Sequence, residues 1–191
     1  METLTSPVML LPIDNIDTDR IIPARFLITT KVKGLGRHFF NDWTHGSNAN
    51  ENAKILVAGH NFGCGSSREH AVWALADYGI EAVVSTKFAD IFHANALRNR
   101  LVPVVVLPED HEKLVAALEA DPELAVTLDY DTLSLTCGRL VISFTAAISE
   151  VGSQDPETPG IEELEILLGQ SRLIDEHEAV RKARVNTLGD G

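Results

Sequence analysis

Residues 59–70 read Gly-His-Asn-Phe-Gly-Cys-Gly-Ser-Ser-Arg-Glu-His and place hydroxyl, guanidinium and glycine backbone in one short stretch. The spacing Ser66-x-x-Glu69 predicts a capping box, with Ser66 as the N-cap of a helix and Glu69 at its third position. A helix start offers free N–H groups and a partial positive charge, so it attracts anions. Arg68 in the first turn opposes this dipole, and a bound anion would reverse the penalty. The stretch therefore predicts an anion-binding site.

Single positions exclude three familiar motifs of similar composition. A phosphate-binding P-loop requires Lys before the final Ser or Thr, and Gly65 precedes Ser66 here. The dinucleotide fingerprint requires a third glycine where Arg68 stands, and the nucleophile elbow requires a glycine at the same place. This stretch therefore gives no sequence support for nucleotide binding or for ordinary serine hydrolysis.

Several of these residues also have a purely structural interpretation. Ser66 can be a helix cap without chemistry, and Cys64 is better explained as a small packing residue because no partner base is evident. No metal site is expected, since the histidines lack the spacing of zinc ligands; they are His60, His70 and His93.

A polar turn at residues 14–20 contains Thr18 and Asp19. Its side chains can bond their own backbone, which is sufficient to explain a turn. Calcium binding is not predicted, because the glycine and the closing glutamate of a 12-residue calcium loop are missing.

Strands and helices alternate around these segments. Apolar runs at 8–11, 55–58 and 82–84 predict buried strands, and a further strand at 101–107 is interrupted by Pro103. Residues 69–78 predict a deeply buried helix that ends at Gly79. Three other segments have helix-like spacing: residues 35–43, the face Phe88, Ile91, Phe92 and Asn95, and the stripe from Leu107 to Leu118.

The pattern changes after residue 122. Three short strands near 124–128, 133–136 and 140–144 predict a β-meander, so the sequence indicates an α/β domain with a mixed sheet. We expect residues 1–150 to form the catalytic domain. We expect residues 151–191 to be a linker and a C-terminal helical segment packed on the same domain, with helices at 161–168 and 172–184.

Charge and composition restrict the partners. The chain has 191 residues, 16 Lys and Arg against 28 Asp and Glu, and a net charge of −12. Such a charge repels phosphate backbones and anionic lipid, so neither nucleic-acid nor membrane binding is expected. No apolar run reaches the roughly 18 residues of a membrane span. Two cysteines cannot form a disulfide framework, so we expect a soluble, cytoplasmic protein.

Together these segments resemble the small subunits of 3-isopropylmalate dehydratase, the swivel-domain partners in the aconitase superfamily. The string Gly-x-Asn-Phe-Gly-x-Gly-Ser-Ser-Arg-Glu-His is the most specific part of the resemblance. The matching segments span most of the chain: 14–23, 34–43, 59–70, 89–92, Asn95, Asn99, 101–104 and 160–164.

The resemblance implies a three-layer β/β/α swivelling domain, as in the aconitase C-terminal domain, with a mixed sheet and flanking helices. It implies a hydro-lyase that interconverts 2-isopropylmalate and 3-isopropylmalate through an alkene, in leucine biosynthesis. A large subunit, in a heterodimer or larger assembly, would carry a [4Fe–4S] cluster. Such a cluster needs three or four thiolates, and this chain has two cysteines, so no cofactor is expected to bind to it.

The resemblance also implies roles for individual residues. Ser66 would be the catalytic base, acting as an alkoxide that the N–H groups of residues 63–68 stabilise. The substrate, a 2-substituted malate, would be bound by Gly65, Ser67 and Arg68. The supporting residues would be Thr18, Asp19, Asn61 and Gly63, and the specificity loop would contain Ile28, Thr29, Thr30 and Lys31.

Two alternatives stay open. A sister subunit of the same build would act on citraconate, citramalate or homoaconitate, and residues 28–33 would discriminate between the substrates. An isopropyl group requires an apolar wall, whereas an extra carboxylate requires a cation such as Lys31 or Lys33. The second alternative is a non-catalytic module that binds an anion beside Ser66 and Arg68.

Overall fold

Two four-stranded β-sheets organise the chain. The computed structural model describes residues 3–26, 33–40, 52–66 and 68–146. Within these ranges the strands are β1 (Leu4–Ser6), β2 (Val8–Leu11), β3 (Ile55–Ala58), β4 (Ala82–Ser85), β5 (Val102–Val105), β6 (Val126–Asp129), β7 (Ser134–Cys137) and β8 (Leu140–Ser143). The helices are α1 (Thr18–Ile21), α2 (Glu69–Tyr78), α3 (Asp90–Arg98) and α4 (Pro108–Ala120), with short 3₁₀ helices at Ala24–Phe26 and Gly36–His38.

The first sheet is parallel, with the order β2-β3-β4-β5. All residues of β3 and β4 are buried, because both faces of this sheet are covered. Helix α2 connects β3 to β4, and α3 connects β4 to β5. Pro103 lies within β5, which is an edge strand, so its missing N–H removes no bond from the sheet interior. The predicted strands at 8–11, 55–58 and 82–84 and the helix at 69–78 are confirmed.

The second sheet is antiparallel, with the order β1-β6-β7-β8, and it contains the predicted meander. Strand β1 was not expected; it pairs with the distant strand β6, from Leu4 opposite Leu128 to Ser6 opposite Val126. Pro7 separates β1 from β2, so the chain passes there from one sheet to the other. The strands expected in one mixed sheet therefore divide between two sheets. An isolated antiparallel bridge between Val105 and Thr145 links the two sheets.

Two buried clusters define three layers. One face of the parallel sheet packs against α2 and α3, through residues such as Leu56, Val83 and Leu75. The other face packs against the antiparallel sheet and α4, through residues such as Val57 and Leu128. The β/β/α order that the resemblance implies is therefore present. Within the described ranges, none of the helices has the length and apolar character that crossing a lipid bilayer requires.

Two helix predictions differ from the structure. In the segment predicted at 35–43, only Gly36–His38 forms a short 3₁₀ helix among the described residues. The Asp77 carboxylate accepts hydrogen bonds from the amides of Gly34 and Gly36, both at 2.8 Å. These bonds hold the chain in a turn before the 3₁₀ helix, where the sequence had predicted a longer helix. In α3, Ile91 is 53% exposed, so it is not on the buried face with Phe92. The C-terminal segment predicted at 151–191 lies outside the described residues.

Candidate active site

Residues 59–66 follow β3 and lie between the loops that follow β2 and β4. On one side, the Gly63 amide donates to the Ile16 carbonyl at 2.8 Å. On the other side, the Phe62 amide donates to the Lys87 carbonyl at 3.0 Å. Two isolated parallel bridges join Asp17 to Cys64 and Phe62 to Phe88. The bonding of the parallel sheet thus continues past the strand ends and fixes the loop at the carboxyl edge, where α/β proteins bind ligands.

Two glycines allow the loop to take this path. Gly63 has φ of 75° and Gly65 has φ of 90°, a left-handed conformation that costs other residues about 1–2 kcal/mol. A Cβ atom at Gly63 would overlap the ring of Phe92, which is buried under the loop. The close contact between Gly63 and Phe92 therefore sets the distance between the loop and α3.

Ser66 is exposed at the end of this loop. The buried Thr18 hydroxyl donates to the Ser66 carbonyl at 3.0 Å, and the Thr18 amide donates to the Cys64 carbonyl at 3.0 Å. Among the described residues, none forms a hydrogen bond with the Ser66 hydroxyl. The backbone of Ser66 is therefore fixed while its side chain is left to the surface.

The predicted capping box is wrong. Helix α2 begins at Glu69, and its N-cap is Arg68, which makes no side-chain cap bond. Instead of reaching back to Ser66, the Glu69 carboxylate accepts a bond from Asn99 Nδ2 at 3.0 Å, and Asn99 Oδ1 accepts one from Trp73 Nε1. The contacts between residues 62–66 and their neighbours delay the helix start by two residues. Ser66 thus loses its structural explanation as a cap.

Arg68 forms an ion pair from its Nη1 to Asp19 Oδ1. The Arg68 side chain is 26% exposed and that of Asp19 is 52% exposed, so the pair adds at most about 1 kcal/mol to stability. Its main consequence is orientation, because Asp19 holds one nitrogen of the guanidinium and leaves other N–H donors for a second partner. Asp19 also offsets the unfavourable position of a cation at a helix start.

A cavity of about 160 Å³ lies between this loop and the start of α3. Its polar lining residues are Thr18, Ser66, Arg68, Asp90 and Asn95. Gly63 and Gly65 also line it, and Ala89, Ile91 and Phe92 complete the lining that is described. The arrangement places a hydroxyl and a guanidinium beside a space that can hold part of a small anionic molecule.

The other predicted site residues divide into three groups. Thr18 and Gly63 line the cavity, but the Gly63 amide cannot stabilise an alkoxide as expected, because it donates to Ile16. Asn61 does not line the cavity; its Nδ2 donates to Asn15 Oδ1 at 2.8 Å and stiffens the loop base. The remaining predicted residues lie outside the described ranges: Ile28, Thr29, Thr30, Lys31 and Ser67.

Sequence reasoning missed the contribution of α3 to the site. Asp90, Ile91 and Asn95 line the cavity, although the apolar spacing had suggested only a packing face. The available signal was the position of the helix, since α3 begins directly after β4, the strand beside β3. Loops that follow adjacent parallel strands meet at one edge of the sheet.

Comparisons with known proteins agree on one family. A family profile described as the aconitase C-terminal domain matches residues 47–109. The 3-isopropylmalate dehydratase small subunit of Herpetosiphon aurantiacus is 41% identical over 195 residues, which cover 99% of this chain and 98% of the relative. That of Anaeromyxobacter dehalogenans is 47% identical over 148 residues, or 71% of this chain and 75% of the relative.

A solved structure supports the same grouping. The crystal structure of 3-isopropylmalate dehydratase from Methanocaldococcus jannaschii superposes with a TM-score of 0.64 and 26% identity, covering 93% of this chain and 99% of that one. Identity above 40% along nearly the whole chain is decisive. The chain belongs to the family of 3-isopropylmalate dehydratase small subunits.

Proposed function

We propose that this chain and a large iron–sulfur subunit together form a hydro-lyase that interconverts 2-isopropylmalate and 3-isopropylmalate, in the cytoplasm. Ser66 removes the proton and Arg68 binds a substrate carboxylate. The observation that carries this proposal is the juxtaposition of an exposed Ser66 with Arg68 at one cavity, in a chain whose relatives are named as small subunits of this dehydratase.

The reaction needs a base beside an anion-binding group. A proton leaves a carbon next to a carboxylate, and a hydroxyl leaves the neighbouring carbon. A serine hydroxyl is a weak acid, so its alkoxide must be stabilised. Among the described residues, the amides of Gly65 and Ser66 donate no hydrogen bond to the protein, and one well-placed donor contributes about 2.7–4 kcal/mol.

Arg68 suits the substrate carboxylate. Its guanidinium is planar and can form two parallel hydrogen bonds to a carboxylate. Because Asp19 holds only Nη1, the other edge of the guanidinium can face the substrate. The positive charge beside Ser66 also favours the alkoxide. We assign Ser67 to the same carboxylate and residues 28–31 to substrate discrimination, as the resemblance implies.

The iron belongs to the partner in this proposal. Within the described ranges, no group of three or more His, Cys, Asp and Glu side chains is placed to hold a metal ion. Cys64 follows β3 and Cys137 ends β7, and both are free thiols. A [4Fe–4S] cluster, when bound in the large subunit, supplies a Lewis acid for the departing hydroxyl. This chain supplies the base, the carboxylate clamp and one wall of the cavity.

Anaerobic reconstitution with the large subunit tests the function. Iron content and the rates with 2-isopropylmalate, 3-isopropylmalate, citraconate and homoaconitate are measured for the chain alone and for the complex. We expect an iron-free, inactive chain and a complex that prefers the isopropylmalates. Turnover with stoichiometric iron in the chain alone would refute the two-subunit proposal. Preference for citraconate or homoaconitate would identify a sister dehydratase, and inactivity with all four would favour an anion-binding module.

A further inference from the structure

Resting on the function proposed above, we infer that Ile91 is a specificity-determining residue, whose side chain forms the apolar wall that receives the substrate's isopropyl group. Nothing in the sequence pattern separated Ile91 from the packing residues of α3. Its exposure and its position at the Ser66 cavity distinguish it.

Ile91 is 53% exposed in the first turn of α3, and it lines the same cavity as Ser66 and Arg68. The other large apolar residue at this cavity, Phe92, is 3% exposed because its ring packs under Gly63 and against the core residue Phe62. Ala89 offers only a methyl group. Among the described lining residues, Ile91 is therefore the one that presents a large apolar surface to the cavity.

The chemistry of the substrate explains why such a surface is useful. Each isopropylmalate carries two carboxylates, a hydroxyl and one branched alkyl group. Arg68 and Asn95 can bond polar groups, but an alkyl group gains only from an apolar wall that excludes water. The exposed β-branched side chain of Ile91 provides that wall, and its stiff χ1 angle keeps the wall in place.

Other exposed apolar residues lie elsewhere and serve as controls. Val141 is 68% exposed on β8 of the antiparallel sheet and is not part of this cavity. Its truncation removes exposed apolar surface without touching the site. An exposed helical Ile91→Ala change does not lower helix propensity, so the variant should fold.

The experiment compares substrates that differ in the alkyl group. The wild-type, Ile91→Ala, Ile91→Lys and Val141→Ala complexes are assayed for kcat/KM with 2-isopropylmalate and with citramalate, which has a methyl group in place of the isopropyl group. Homoaconitate tests for a gained carboxylate partner. Subunit affinity is measured for every variant.

We expect Ile91→Ala to lower the ratio of isopropylmalate to citramalate about tenfold, because a methylene in an apolar pocket is worth about 10–200-fold in discrimination. Ile91→Lys should lower it further and raise relative activity on homoaconitate. Val141→Ala should leave the ratio unchanged. Equal losses on both substrates, or losses that follow weakened subunit affinity, would overturn the assignment. An inactive wild-type complex would instead refute the proposed function itself.

Discussion

The antiparallel sheet and the carboxyl edge of the parallel sheet use their polar residues differently. In the antiparallel sheet, polar groups close turns: the Asp129 carboxylate accepts from the amides of Asp131 and Thr132, at 2.9 and 3.0 Å. These hydrogen bonds lower the pKa of Asp129. At the carboxyl edge, by contrast, Ser66 is exposed and its hydroxyl is bonded to no described residue.

The carboxyl edge thus maintains an arrangement that local stability does not require. Arg68 places a cation at a helix start, which is locally unfavourable, and the contact between Gly63 and Phe92 leaves no room for a Cβ atom. The antiparallel sheet has short turns and regular pairing. Matched substitutions in the two regions should therefore separate effects on catalysis from effects on folding.

Among the substitutions that leave Ser66 itself in place, Arg68→Lys should have the largest effect on activity. The variant keeps the charge but loses the planar fork, so kcat/KM should fall about 10- to 1000-fold as one or two charge-assisted bonds are lost. Steady-state kinetics of the complex measures this. Arg139→Lys, in the exposed turn between β7 and β8, is the control and should change nothing. If the Arg68→Lys complex assembles normally and keeps a near-native kcat/KM, Arg68 does not bind the substrate carboxylate as proposed.

Gly63→Ala should destabilise the fold by about 2–5 kcal/mol. The alanine would have φ of 75° and would also press against Phe92. Gly138→Ala, in the turn of the antiparallel sheet, also has a positive φ, of 57°, but among the described residues its Cβ atom would contact Leu124 alone, at 3.7 Å or more. We expect Gly138→Ala to destabilise the fold by about 1–2 kcal/mol. Denaturant unfolding gives both values, and similar losses at the two sites would contradict the role of the Phe92 contact.

Thr18→Val should have a smaller effect that appears mainly in kcat. The change keeps the shape of the side chain but removes the hydroxyl that holds the Ser66 carbonyl. Loss of one hydrogen bond costs about 0.5–1.5 kcal/mol, and a misplaced Ser66 should lower kcat about three- to tenfold with little change in KM. Thr132→Val removes a hydroxyl bonded to Ser134 in the antiparallel sheet and should leave kcat unchanged. Equal kcat values in the two variants would contradict the positioning role of Thr18.

A pH dependence of stability should be confined to the antiparallel side and absent near neutral pH. Burial, with a contribution from the negative charge of Glu81, raises the pKa of Tyr130 from 10.0 to about 12. The unfolded chain therefore loses this proton first, and the free energy of unfolding should decrease between pH 10 and 12. Tyr130→Phe should show a smaller decrease in the same range, as measured by denaturant unfolding. Identical pH profiles for the two proteins would contradict the raised pKa of Tyr130.

The sequence predicted the elements with strong local patterns. The bounds of β2, β3 and α2 follow from short apolar runs and from Gly79, which ends α2 in a left-handed conformation. The three strands of the meander were predicted because their turns are short and local. Features that depend on distant residues were not: β1 is three residues long, and among the described strands it pairs with β6 alone.

The motif and the resemblance predict Ser66, Arg68 and Thr18 as site residues, and the structure places all three at one cavity. The local Ser-x-x-Glu signal, however, placed the helix start two residues too early. Contacts with residues 16–18 and 87–89 outweigh that local signal. The exposure of Ile91 could not be predicted either, because the apolar spacing of a helix does not show which apolar residue faces a cavity.

The central claim is that Ser66 removes the proton, and the rate of alkene formation from 3-isopropylmalate tests it most directly. Ultraviolet absorbance follows this rate in the reconstituted complex, with substrate binding and unfolding measured on the same proteins. For Ser66→Ala we predict a rate about 10²–10⁴-fold lower, substrate binding close to native and a stability change within about 0.5 kcal/mol. Ser143→Ala, at an exposed serine of β8, should form the alkene at the native rate. Near-native alkene formation by an assembled Ser66→Ala complex would contradict the claim.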